Sequence, residues 1–183
     1  SRLLPGIAIR ESSPMPINYD GGTGDIVLGA RNGKVYVLNG DTGLDKSNWP
    51  QSTSNPIDST PSTADVDSDG LLDIFVSSGV SDQGQCSGGG LYRFNQNGST
   101  LLNFNAIDDA GESSVQCVDP AIHSSPVIGD INKDGAPDIA FGALGLKNWN
   151  IRYDGAINNG WPFYWDDTQF ASSALADVNS DGK

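Results

Sequence analysis

Four aspartates, Asp65, Asp67, Asp69 and Asp73, stand within nine positions of the stretch TADVDSDGLLDIFVSSG, and the last runs straight into the apolar Ile74, Phe75 and Val76. Two carboxylates about 5 Å apart repel by roughly 3 kcal/mol at an effective dielectric near 20. Four of them beside a buried strand are tolerable only if solvated or bridged by a cation. In the spacing Asp-x-Asp/Asn-x-Asp-Gly-x-x-Asp, the first, third, fifth and ninth side chains and the seventh carbonyl can converge on one point, and the Gly allows the sharp turn. Oxygen ligands alone suit a hard cation. Calcium, which accepts about six to eight oxygens in flexible geometry, fits better than magnesium, which demands a near-ideal octahedron.

The expected ligands of the first loop are Asp65, Asp67, Asp69, the Leu71 carbonyl and Asp73. The phrase recurs as GDINKDGAPDIAFGALG, giving Asp130, Asn132, Asp134, the Ala136 carbonyl and Asp138, and again as ADVNSDGK, giving Asp177, Asn179, Asp181 and the Lys183 carbonyl. Asn132 removes one negative charge, so the second loop is expected to bind calcium more weakly than the first. A lone Asp-rich turn reads as a solvated Asx turn; repetition in phase with strands reverses that reading.

The repeat is longer than its loop. STPSTAD (59–65) matches SSPVIGD (124–130) and ASSALAD (171–177), and NWP at Trp49 and GWP at Trp161 each precede a loop's first Asp by 16 positions. A degenerate copy lies in SSPMPINYDGGTGDIVLGA, where Asn18, Asp20, Gly21 and Asp25 echo the pattern while Pro16 stands in place of the first acid and one residue is inserted. Counted at the closing Asp, the copies fall at Asp25, Asp73 and Asp138, and the spacing puts the next closing acid at an expected position 185.

The elements that hold these loops are short. Ile26 to Leu28, Val35 to Leu38 and Leu91 to Phe94 are apolar runs bounded by Gly, Asn and Asp, the signature of strands joined by tight turns. A unit of about 48 residues accommodates four such strands, which is one propeller blade. The expected fold is all-β, with β-propeller blades of four-stranded antiparallel sheets in a partial or fragmentary ring. The expected division is 1–13, the end of a preceding blade; 14–60, a degenerate blade; 61–125, a blade with a calcium loop and insertions; 126–172, a blade with a calcium loop; and 173–183, a truncated next blade.

Composition agrees. The 183 residues carry 23 Asp and Glu against 10 Lys and Arg, a formal net charge of −13 that repels phosphate backbones and anionic lipid, so nucleic acid is not an expected partner. With 23 Gly and 10 Pro punctuating short apolar runs, no helical spacing is sustained. No apolar run approaches the roughly 18 residues needed to span a bilayer, and the opening SRLLPGIAIRES lacks a secretory h-region and cleavage site.

Competing motifs fail by position. An EF-hand needs a bidentate Glu at position 12 and flanking helices, whereas position 12 here is Val76 or Phe141, inside a strand. GGTGDIVLG hints at the nonapeptide of calcium β-rolls but lacks a residue and does not repeat at nine. His123, the single histidine, stands beside Ser124 and Ser125, yet adjacent residues on a strand point to opposite faces, so a structural histidine is the expectation. Asp108, Asp109 and Glu112 could form a carboxylate pair for glycan cleavage, although an acidic loop reads first as solvated. Trp161, Phe163, Tyr164 and Trp165 could stack on sugars; their alternation is expected instead to pack between blades.

DVDSDGLLDIFVSSG and DINKDGAPDIAFGALG, the latter with Phe141, Gly142 and Ala143, resemble FG-GAP/VCBS repeats, the blades of integrin-α-type β-propellers with calcium in an inter-strand loop. The resemblance covers nearly the whole chain. It implies the blade fold, calcium at the matched positions, an extracellular or cell-surface setting, and a role in adhesion or ligand binding. GKVYVLNGDTG followed by Trp49 also resembles the strand pattern of quinoprotein propellers, a single match that does not establish a quinone cofactor.

The longest unit carries additions at SDQGQCSGG and AIDDAGESSVQCVDP, which hold both cysteines. Two Cys in the loops of one unit, in a calcium-rich and exported chain, suggest a Cys86–Cys117 disulfide, which would stabilise by roughly 3 to 4 kcal/mol in the chain-entropy account. The resulting expectation is a binding or structural module, not an enzyme. Its calcium is structural, and its partner is a protein or glycan ligand or further copies of itself in a fibre or scaffold. A polysaccharide lyase or hydrolase is the less favoured reading.

Overall fold

Runs of four to six apolar residues are too short for helices and pair instead as antiparallel strands. The computed structural model describes residues 7–19, 21–22, 24–79, 81–82, 85–86, 89–106, 121–165 and 169–178, and for 81–82 and 85–86 the backbone only. Among the described residues there is no helix. The first sheet is β1 (Met15–Ile17), β2 (Asp25–Ala30), β3 (Lys34–Asn39) and β4 (Gln51–Ser52), paired in chain order. The second holds β5 (Ser62–Ala64), β6 (Asp73–Ser78), β9 (Gly90–Phe94) and β10 (Thr100–Asn105), with a two-stranded hairpin, β7 (Ser81–Asp82) and β8 (Gln85–Cys86), between β6 and β9. The third is β11 (Val127–Gly129), β12 (Asp138–Ala143), β13 (Lys147–Arg152) and β14 (Phe163–Tyr164). The three four-stranded sheets are blades of a β-propeller whose ring is not closed, and each draws its strands from one of the intervals 14–60, 61–125 and 126–172.

The blades are stacked through alternating side chains. On β6, Ile74 and Val76 enter a core with Val27, Val35 and Val37 of the first blade, while Phe75 enters a second core with Ile139, Phe141 and Ile151 of the third. Successive residues of a strand point to opposite faces, so the consecutive apolar residues Ile74, Phe75 and Val76 serve the cores on both sides of β6; β6 and β12 are buried along their whole length. Each fully buried Phe or Ile contributes roughly 1.5 to 3 kcal/mol.

Hydroxyl pairs tie the stack together. Ser59 and Ser124 are buried just before the first strand of the second and third blades, and each hydroxyl both donates to and accepts from the backbone of the blade it precedes, at Ser77 (2.7 and 3.0 Å) and Gly142 (2.8 and 2.8 Å). The next residue bridges blades: the amide of Ser13 donates to the Thr60 hydroxyl (3.0 Å), that of Thr60 to Ser125 (2.9 Å) and that of Ser125 to Ser172 (2.9 Å). The repeated Ser-Ser/Thr dipeptide is therefore one lock onto the blade it precedes and one latch to the next dipeptide.

The register corrects the reading of the degenerate copy. Ile17 pairs with Asp25 as Ala64 pairs with Asp73 and Gly129 with Asp138. Asn18, not Pro16, therefore takes the place of the first acid, and the first loop is one residue shorter than the others, not longer. Pro16 lies within β1.

Both additions of the second blade leave from the end of the sheet opposite its Asp-rich loop, since Ser78 pairs with Gly90 and Gly90 with Asn105. The chain re-enters there, where the Ile122 amide donates to the Ser78 carbonyl (3.2 Å) and a Cβ on Gly79 would lie 2.7 Å from the Ala121 Cα. Residues 107–120, with Asp108, Asp109, Glu112 and Cys117, lie outside the described residues.

Candidate metal centre

The two complete Asp-rich loops join the first strand of a blade to its fully buried second strand, so the strand ends fix where the acids stand. In the first complete loop, one carboxylate oxygen each from Asp65, Asp67 and Asp69 lies within 4.8 Å of the other two, all facing solvent. Asp65 is held by the loop itself: the amides of Asp69 and Gly70 donate to its two oxygens (3.1 and 2.9 Å), and the Leu71 amide donates to Asp69 (2.8 Å). The second loop repeats this bond for bond, with Asp134 and Gly135 donating to Asp130 (3.1 and 2.9 Å) and Ala136 to Asp134 (2.9 Å). Gly70 and Gly135 both sit at φ 85°, and Ser68 and Lys133 both at φ 61°, conformations that cost a non-glycine residue and that a loop keeps only when its surroundings impose them. The oxygen-only donors and their convergence are compatible with a hard cation such as calcium, with Asp65, Asp67 and Asp69 as the side chains that would hold it.

The closing acid behaves differently. Asp25, Asp73 and Asp138 begin the second strand of their blades and are 1%, 3% and 0% exposed. Arg93 donates to both Asp67 and Asp73, the latter at 2.7 Å, and its guanidinium lies 5.3 Å from the Tyr153 ring of the third blade. Burial pushes the Asp73 carboxyl above the usual carboxylate range, and the hydrogen bond and charge of Arg93 only partly offset it. Asp138 receives the amides of Ile131 (2.9 Å) and Asn132 (3.3 Å) and the side-chain amide of Asn158 (2.7 Å), and Asn158 also donates to Asn150 (3.0 Å). Asp25 has an ion pair with Lys46 at 3.2 Å, and neither of its oxygens is hydrogen-bonded. Lys46 also stands over the Tyr19 ring at 5.8 Å.

These counter-groups escaped the sequence reading. Arg93 was visible as the single charged residue in the apolar run GLYRF, and Lys46 and Asn158 each stand three residues before the Trp of NWP and GWP. Of the third loop, Asp177 is described and exposed, while Asn179, Asp181 and Lys183 lie outside the described residues, as does Asp20 of the degenerate copy.

Elsewhere the chemistry is structural. Ser124 is committed to the Gly142 backbone, and His123 packs edge-on against Phe170 at 5.3 Å. Asp58 is buried between blades with Arg31 at 3.5 Å, and burial raises its carboxyl above the ordinary value despite Arg31 and His123. In the aromatic stretch, Phe163, Tyr164 and Trp165 are 53%, 67% and 52% exposed. They lie on the third blade, whose outer face no described blade covers.

No protein-family model matches the chain, and no curated protein matches it. Solved structures do. One is the crystal structure of BBS1N in complex with ARL6DN, soaked with lead, which aligns with a TM-score of 0.52 at 13% identity over 91% of this chain. The chain spans 44% of the length of that neighbour, which is propeller-like. The likeness is one of fold: an all-β array of propeller blades.

Proposed function

We propose that the chain is a calcium-stabilised β-propeller module of the FG-GAP/VCBS type, from an exported protein, that binds a protein or glycan partner and is not an enzyme. The observation that carries the reading is the convergence of Asp65, Asp67 and Asp69 on a loop whose backbone is repeated at Asp130 to Asp138. Calcium is structural in this account. It sits at the end of the blade remote from the two additions and holds the strand ends together, leaving recognition to the additions, since loops on rigid scaffolds commonly carry it. A Cys86–Cys117 disulfide would pre-organise that surface and reduce the ordering entropy lost on binding. Thermal melts and calorimetry with calcium and with chelator test the metal. Replacing residues 107–112 by a Gly/Ser linker, which spares the buried Ala106, tests the binding surface: partner binding or assembly is expected to fall while calcium uptake survives.

A second reading, a subunit of an extracellular fibre or scaffold, is favoured by the exposed Phe163, Tyr164, Trp165 and Phe170 on the third blade. Analytical ultracentrifugation separates the two: a monomer at all concentrations supports the binding module, and concentration-dependent assembly supports the scaffold.

A further inference from the structure

The three buried closing acids are equivalent by register, and their partners can be placed by the same register. Asp25 pairs with Asn39 and Asp138 with Arg152, so Val37 on β3 and Asn150 on β13 are equivalent, and Arg93 on β9 takes the same place in the second blade. The Lys46 amide donates to the Val37 carbonyl (2.8 Å) and the Asn158 amide to the Asn150 carbonyl (3.0 Å); the Trp49 and Trp161 amides then return to the Lys46 and Asn158 carbonyls, both at 3.1 Å. Lys46 and Asn158 are therefore one position in one turn. In the first blade that position delivers an ammonium to a fully buried carboxylate that no hydrogen bond satisfies, with Tyr19 behind it. In the second blade the cation comes from the strand as Arg93. In the third blade both positions are neutral amides, Asn150 and Asn158, bonded to each other.

We infer that the residue shared by Lys46 and Asn158 decides whether a blade needs a metal ion: Lys46 is a built-in cation that replaces calcium in the first blade, and the third blade, with Asn158, depends on calcium most. This rests on the calcium reading above and reverses the ranking expected from Asn132, because Arg93 already takes up Asp67 and Asp73 of the first complete loop. An unpaired buried carboxylate is costly, and a lysine that reaches it supplies the charge an ion would otherwise bring.

The test is hydrogen exchange read by mass spectrometry on wild type, Asn158→Lys, Lys46→Gln and Arg93→Gln, each with calcium and with chelator, alongside calorimetric titration with calcium chloride. In the wild type, chelation is expected to speed exchange at least tenfold in peptides covering β11 and β12 and to leave β1 and β2 unchanged. Asn158→Lys should abolish the chelator response of β11 and β12 and weaken one calcium site at least tenfold. Lys46→Gln should deprotect β1 and β2 whether or not calcium is present. Arg93→Gln should enlarge the chelator response of β5 and β6. A wild-type chelator response in β11 and β12 that persists unchanged in Asn158→Lys would overturn this inference alone. No calcium uptake and no chelator response in the wild type would overturn both it and the calcium reading.

Discussion

The first and third blades carry the same turn before the same Trp-Pro pair, yet they treat it oppositely. Trp49 is 6% exposed, donates to the Tyr19 hydroxyl at 2.7 Å and meets Phe94 of the second blade edge-on at 5.8 Å. Trp161 is half-buried and packs on Phe163 of its own blade at 4.5 Å. Three residues upstream, Lys46 neutralises Asp25 while Asn158 only hydrogen-bonds Asp138. The difference teaches that the repeat fixes backbone and position, whereas the neighbouring blade and a single side chain decide whether that position is core or surface, self-sufficient or dependent on an ion.

The largest effect is expected where the first blade's charge is left alone. Lys46→Met strands the buried Asp25, and losing one partner of a buried ion pair costs about 3 to 5 kcal/mol; urea unfolding should show that loss in calcium and in chelator alike. Trp49→Ala should cost a similar amount, about 3 to 5 kcal/mol for a large buried aromatic, while Trp161→Ala, at a half-buried site with one aromatic neighbour, should cost less. Equal losses from the two tryptophans would break the comparison. Ser124→Ala leaves a buried amide and carbonyl of Gly142 without their partner, at about 1 to 3 kcal/mol, and the same change at Ser59 should match it.

The smallest effect is one of pH. Burial raises the Asp58 carboxyl in the folded state, against Arg31, His123 and Arg10, with Glu11 adding to the rise. A raised carboxylate pKa favours the folded state below the unfolded value of about 3.9, and that contribution is lost as pH rises through the folded value. Relative to wild type, Asp58→Asn should therefore gain stability progressively from pH 4 upward, measured as the shift in urea midpoint; a constant difference across that range would remove Asp58 from the account.

Much of the architecture could be read from residues alone. Short continuous apolar runs such as Ile74 to Val76 and the recurrence of Ser-Ser/Thr before Pro mark strands and blades, because a strand covered on both sides is apolar on both faces. The acids of each loop were equally plain. Their counter-charges were not, because Arg93 lies 20 residues from Asp73, and Lys46 lies 21 from Asp25, distances that only sheet pairing closes. The alternation in WPFYW marks a face fit for packing without saying what covers it. The degenerate loop was misaligned because Asn18 is not an acid, and only the pairing of Ile17 with Asp25 shows where it stands.

Calcium titration of chelator-stripped protein, followed by calorimetry with a melting curve at each end point, tests the central claim most directly. The account predicts saturable uptake at two or more sites and a stability gain of about 2.7 kcal/mol at a hundredfold excess over the dissociation constant of a site. Absence of heat, together with superimposable melts in calcium and in chelator, would contradict it.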